Sequence, residues 1–207
     1  MQKINFNDRY GLTQAVIEGR KTMTRRLEFD DELQQMVTDS DSYYYDDGYL
    51  VFATQGVDIH HVKTRYKVGE VVAVAQRYSA IAAGHPDVDT FLLQVAKAHK
   101  ISLESVQDLA GWNNKMFTKA ELMPHQIRIT GIKCEGLQDI QDADCLKEGV
   151  RYIPEINKFY FEDVRREEGF YFDNHREAFA ALIDKVSGRG TWGLNPWVVV
   201  YEFELVK

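Results

Sequence analysis

The spacing of apolar and polar residues changes period several times along the chain, and each change predicts an element. Leu12, Ala15, Val16 and Gly19 recur at helical spacing, which predicts a short amphipathic helix over residues 8–19. That rhythm stops at residues 28–48, where Asp30, Asp31 and Glu32 precede an acidic tract around Tyr43, Tyr44 and Tyr45. The stretch reads as a loop or insertion with an Asp46-Asp47-Gly48 turn, followed by a strand at 49–54. Residues 66–74 read as a turn leading into a buried strand, since Val71, Val72 and Val74 are β-branched. Phe91, Leu92, Val95, Ala98 and His99 fall on one stripe and predict a helix within 87–110. Residues 127–134 alternate as a half-buried strand does. A short helix is predicted over 142–148, closed by Gly149 in a left-handed cap. A longer one spans 174–186 with Phe179, Leu182, Ile183 and Val186 along one face. The last predicted element is a strand over 197–205, after Asn195-Pro196.

Strands of mixed spacing with short helices between them predict an α+β fold, specifically a small, partly closed β-barrel. At 207 residues the chain suits a single domain, 1–207, with insertions near 28–48 and 80–110. No apolar run approaches the roughly 18 residues that span a membrane, so no membrane partner is expected. The N-terminus lacks the apolar core of a signal peptide, which predicts a cytoplasmic protein.

A net charge of -7 with a pI near 5.4 excludes a general nucleic-acid coat, which needs a broad basic surface. A local contact with RNA, a nucleotide or a nucleoside stays open. Cys134 and Cys145 make no disulfide framework and read as small buried residues. The histidines show no metal-ligand spacing, and no Cys-x-x-Cys pair is present, so neither metal nor cofactor is expected.

Against that acidic background, residues 19–26 (Gly-Arg-Lys-Thr-Met-Thr-Arg-Arg) hold four cations and two hydroxyls. On a helical turn or tight bend, Lys21 and Thr24 would come to one side. Such a pair suits a phosphate, or a nucleophile beside its base. A solvated helix end, with cations favouring the dipole, is the plain structural alternative. Trp197 opens a predicted strand and reads as core. Trp192, in a glycine-flanked turn, is the better candidate to meet a base, with Asn195 nearby.

The Gly19–Arg25 run followed by 66–71 (Tyr-Lys-Val-Gly-Glu-Val) resembles the opening of an ASCH domain, a PUA-like β-barrel family. Residues 114–117 and 122–125 (Asn-Lys-Met-Phe, Leu-Met-Pro-His) resemble a segment of its longer, prophage-associated bacterial members. Residues 137–140, Ala143, residues 148–150 and residues 192–198 complete the order those members share. The resemblance runs from about residue 11 to residue 206 and implies a cleft facing RNA or a nucleotide. In that reading Lys21, Arg25 and Arg26 contact phosphate, Arg20 is a further ligand-binding residue of the cluster, and Trp192 or Asn195 lies near a base. Small bacterial members of the superfamily are amidohydrolases that deacetylate N4-acetylcytidine through a Lys, a Thr three residues later and a Glu. Carried over by motif, these fall on Lys21, Thr24 and Glu148. A departure is Val74-Ala75-Gln76, where family members often continue into an Arg-Glu pair.

Overall fold

The computed structural model describes residues 1–206, with Asp58 and Ile59 by backbone alone. In order, the chain forms β1 (Lys3–Ile4), α1 (Leu12–Ile17), β2 (Met23–Arg26), α2 (Asp31–Asp39), β3 (Ser42–Asp46), β4 (Tyr49–Thr54), β5 (Val57–Lys63) and β6 (Val71–Val74). Then come α3 (Tyr78–Gly84), α4 (Val88–His99), α5 (Ala110–Asn113), β7 (Gln126–Gly136), α6 (Asp142–Lys147) and β8 (Arg151–Ile153). The last elements are β9 (Lys158–Asp163), β10 (Glu168–Phe172), α7 (His175–Ser187), α8 (Thr191–Leu194) and β11 (Trp197–Leu205). The fold is mixed α+β, with eleven strands in open sheets and no closed barrel among the described residues.

Two compact bodies divide the chain. The first comprises Met1–Phe6, Val71–Ile127 and Val206. In it β1 pairs with β6 in parallel, Lys3 opposite Ala73 and Ile4 opposite Val74. Tyr78, Ile81, Phe91, Val95, Val106 and Met123 fill its core. The predicted stripe of α4 is thereby met at Phe91 and Val95, with Leu92 at its margin. Asp87 starts that helix by accepting the Thr90 N–H, and Lys100, left-handed at φ 57°, ends it.

The second body comprises Asn7–Glu70 and Arg128–Leu205. Its central strands lie in the order β7-β11-β2, with β11 and β2 antiparallel. Two antiparallel meanders accompany them, β3-β4-β5 and β8-β9-β10. Asn174 caps α7 by accepting the Glu177 N–H, and Phe179, Leu182 and Ile183 are buried on its inner face. Val186, predicted on that face, stands at its open edge.

The structure corrects two local expectations. Residues 28–48 are not a loop: they hold α2 and β3. Asp30 accepts the Leu33 N–H as N-cap, and Asp31 and Glu32 sit in the first turn, where the helix dipole favours carboxylates. The acidity that suggests a loop thus marks a helix start. The basic run is a helix end only in its first residues, where the Arg20 and Lys21 N–H groups close the last turn of α1. It leaves α1 through Gly19 (φ 70°) and enters the extended strand β2.

Candidate functional site

Three backbone ties fix the basic run. The N–H groups of Arg20 and Lys21 both donate to the Ala15 carbonyl at 2.9 Å, and Thr22 donates to the Lys147 carbonyl at 3.0 Å. From Met23 onward the chain is a strand whose side chains alternate, so Met23 and Arg25 share one face and Thr24 and Arg26 the other. Cross-strand partners follow suit, with Val200 opposite Arg25 and Tyr201 opposite Thr24.

The Arg25 face carries a closed ionic network. Lys21 Nζ donates to Glu148 Oε2 at 2.6 Å and to the Glu148 carbonyl at 2.7 Å. Arg25 donates through one guanidinium nitrogen to Glu148 Oε1 at 2.9 Å, and through two others to Glu135 Oε1 at 2.8 and 2.6 Å. Lys133 holds the second Glu135 oxygen at 2.7 Å, and Lys147 holds Asp144 at 2.9 Å. Side-chain exposure is 2% for Lys21, 6% for Glu148 and 0% for Arg25, while Lys133 and Lys147 form the outer, partly exposed layer. The end of α6 makes this possible. Glu148 caps the C-terminus of α6, and Gly149 then turns at φ 109°, where a Cβ would lie 2.8 Å from the Leu12 side chain.

Burial in that network pushes the Lys21 amine below its ordinary pKa. Glu148 opposes the shift, and Arg26 and Arg25 add to it. Desolvation is the largest of these effects, and crowding by the arginines is a lesser one. Arg25 is raised, because the attraction of Glu148 and Glu135 outweighs the strong opposing effect of burial. Burial alone would raise the Asp144 carboxyl, but Lys147, Arg25 and Lys133 hold it below the usual range.

The Thr24 face is different in kind. Tyr201 donates its hydroxyl proton to Glu28 Oε2 at 2.7 Å and accepts the Arg65 N–H at 3.0 Å. Tyr66 meets it edge-on, with ring centroids 5.2 Å apart. Both phenols are pushed up by burial, Tyr201 further by the Glu28 charge. Glu28 Oε1 is closed to solvent and takes no hydrogen bond from the described residues.

No family model, curated protein or solved structure matches the chain.

Of the residues singled out from sequence, Lys21, Arg25 and Glu148 come together, although 127 positions separate Lys21 from Glu148. Thr24 is buried on the other face of the strand. Arg25 is spent inside the network and has no surface left for a phosphate. Arg20 pairs with Glu18, and Arg26 is half-buried beside the tyrosines. Trp192 is half-buried, edge-on to Phe179 at 6.0 Å and beneath the Arg176 guanidinium. The Asn195 side chain accepts the Gln138 N–H at 2.7 Å and so ties its turn to the segment that follows β7. Trp197, expected in the core, is half-buried, and its indole N–H donates to Thr38.

Sequence reading missed Glu135, Asp144, Lys133 and Lys147. A signal existed: Lys133 and Glu135 lie two apart on one face of β7, and Asp144 lies one helical turn before Glu148. The thiols of Cys134 and Cys145 are buried and pushed up, to about 12 and about 11, so neither is poised as a nucleophile. Among the described residues no group of three His, Cys, Asp or Glu is placed to hold a metal, and no helix is long and apolar enough to cross a membrane.

Proposed function

We propose that the chain is an ASCH-type, PUA-like module that binds a nucleoside, free or within RNA, along the 19–26 segment. The supporting observation is the Lys21–Glu148 contact at 2.6 Å: two residues that the resemblance assigns to one site meet across 127 positions. In this reading the network is the buttress: Lys21 and Arg25 hold the strand to α6, Thr24 is buried on the opposite face, and the half-buried Arg26 is the member of β2 left to meet a ligand. Phosphate contact then belongs to Arg26 and Arg20, with Arg25 withdrawn from it.

The second reading is an amidohydrolase that removes an acyl group from the N4 amine of cytidine. It is favoured by one property, the buried Lys21 amine held toward its neutral form. A neutral Lys21 would take the Thr24 hydroxyl proton as the Thr24 oxygen bonds to the acyl carbon. The C–N bond then breaks, the nucleoside amine leaves with the proton from Lys21, and water hydrolyses the acyl-threonine ester. Because Thr24 lies across the strand from Arg25, this reading demands more rearrangement and ranks second.

Both are tested together by incubating the purified protein with N4-acetylcytidine and by titrating it with cytidine and single-stranded RNA. Binding without turnover is the expected outcome. Turnover that Lys21→Met abolishes and Thr24→Ser largely keeps would replace the binding reading with the hydrolase. A folded protein that neither binds nor turns over would end both.

A further inference from the structure

One surface on each body reaches past that reading. In the second body a cleft of about 700 Å³ opens beside α2, lined by Leu33, Met36, Asp30, Glu32, Asp39 and His60. Leu33 and Met36 lie three apart, so they share one side of the helix, and both are half-buried. The three carboxylates are exposed and bond only locally. Asp30 accepts the Leu33 N–H at 2.9 Å, and Asp39 accepts the Gln35 side-chain amide at 3.0 Å. No cation among the described residues pairs with Asp30, Glu32 or Asp39. An apolar cleft with an unneutralised acidic rim suits an apolar group carried among cations.

In the first body the turn Lys115–Phe117 displays such a group. Met116 and Phe117 stand side by side, 62% and 60% exposed. Folding gives no reason to hold two large neighbouring apolar side chains in water, which marks an interaction surface. The backbone beneath them is tied at several points. Asn114 Oδ1 accepts the Met116 N–H at 3.0 Å, the Phe117 N–H donates to the Asn114 carbonyl at 3.1 Å, and the Thr118 hydroxyl donates to the Lys115 carbonyl at 2.8 Å. Lys3 Nζ donates to the carbonyls of Lys115, Met116 and Thr118. Lys115 and Lys119 likewise direct their ammonium groups to carbonyls, those of Phe6 and Ala98. A carbonyl satisfies the hydrogen bond without cancelling the charge, so three cations accompany the apolar pair, with Glu121 acting on Lys3.

We infer that the Met116–Phe117 turn of one copy docks in the α2 cleft of a second copy. Both halves of the match are carried by this chain. Apolar side chains meet Leu33 and Met36, and the cations at Lys3, Lys115 and Lys119 meet the carboxylates at Asp30, Glu32 and Asp39. A turn that is already fixed loses little entropy on docking. The contact is head-to-tail, because the turn and the cleft are different surfaces. Each added copy presents a fresh turn and a fresh cleft, so assembly continues to a ring or a filament. This docking is independent of nucleoside binding, which uses the 19–26 segment.

Sedimentation of the full-length protein across a wide range of concentration tests it. The average mass should rise with concentration, and added salt should reverse part of the rise, since exposed charges are screened. Phe117→Asp and, separately, Met36→Glu should each hold the chain at the monomer mass. An equimolar mixture of these two variants should form a dimer and stop there, since one keeps the cleft and the other keeps the turn. Glu32→Lys, at an exposed position, should weaken the association while leaving the apolar contact in place. A parent protein that stays monomeric at every concentration would overturn the docking. So would association that survives both Phe117→Asp and Met36→Glu, or two variants that are folded by circular dichroism yet fail to pair when mixed.

Discussion

Arg25 is the residue on which the second body turns. Its guanidinium is shared between Glu135 and Glu148 with no exposed surface, so both carboxylates depend on one buried cation. Removing one partner of a buried pair leaves an uncompensated charge and typically costs about 3–5 kcal/mol. Arg25→Met should therefore lower the free energy of unfolding by about that amount in urea titrations. Lys21→Met should cost less, about 1–3 kcal/mol, because Glu148 keeps its bond to Arg25. If Lys21→Met proves the more damaging, Arg25 is not the centre of the network. The contrast also shows what was legible at this scale. Lys21 and Glu148 could be paired from motif order alone. The withdrawal of Arg25 could not, because nothing in a run of cations says which member will meet carboxylates supplied 110 and 123 positions later.

At the scale of elements, α6 and its exit decide whether Lys21 and Glu148 can meet. Gly149 follows the helix at φ 109°, and a Cβ there would approach Leu12 of α1 to 2.8 Å. Gly149→Ala should cost about 1–3 kcal/mol, combining left-handed strain with crowding that the Leu12 side chain relieves only in part. Gly190→Ala shares the left-handed conformation (φ 92°) but has open space around its Cβ. It should be milder, and equal losses in thermal melts would show that contact with α1 is immaterial. Periodicity found α1, α6 and α7 with little error, because each buries one face, and found the start of α4, which ends at His99 and not near 110; β4 and β11 were found as apolar runs, since consecutive residues of both are buried. The sheet β8-β9-β10 escaped prediction. Its strands are short and mix charges with aromatics on both faces, and its second hairpin turns at Glu167 (φ 54°), a residue that gives no turn signal. Stretch 28–48 was misread for the converse reason, since capping carboxylates and loop carboxylates look alike without the backbone they bond.

Across the whole molecule, buried titratable groups set how stability follows pH, and their signs can be added. Cys134 and Cys145 are raised to about 12 and about 11 from an ordinary 9.0, and the phenols of Tyr66, Tyr78 and Tyr201 are raised from 10.0. In each case the folded form keeps its proton while the unfolded chain has released it. The folded state therefore binds more protons above pH 9, and stability must fall as pH rises. Lys21 runs the other way. Its folded pKa lies below 10.5, so in that window the unfolded chain holds the extra proton and stability rises with pH. Tyr43, Tyr160 and Lys147 are raised as well, and Lys3 is lowered as Lys21 is, so eight groups oppose two, and the expected profile is a net decline from about pH 9 upward. Urea unfolding between pH 8 and pH 11 measures it directly. Cys134→Ala should flatten the decline by removing one of its largest contributors. Lys21→Met should steepen it, since one of the two rising contributions, that of the more deeply buried lysine, is then gone. A decline left unchanged by both substitutions would mean that these side chains are not buried as described, and the same result would remove the physical ground for a lysine held toward its neutral form.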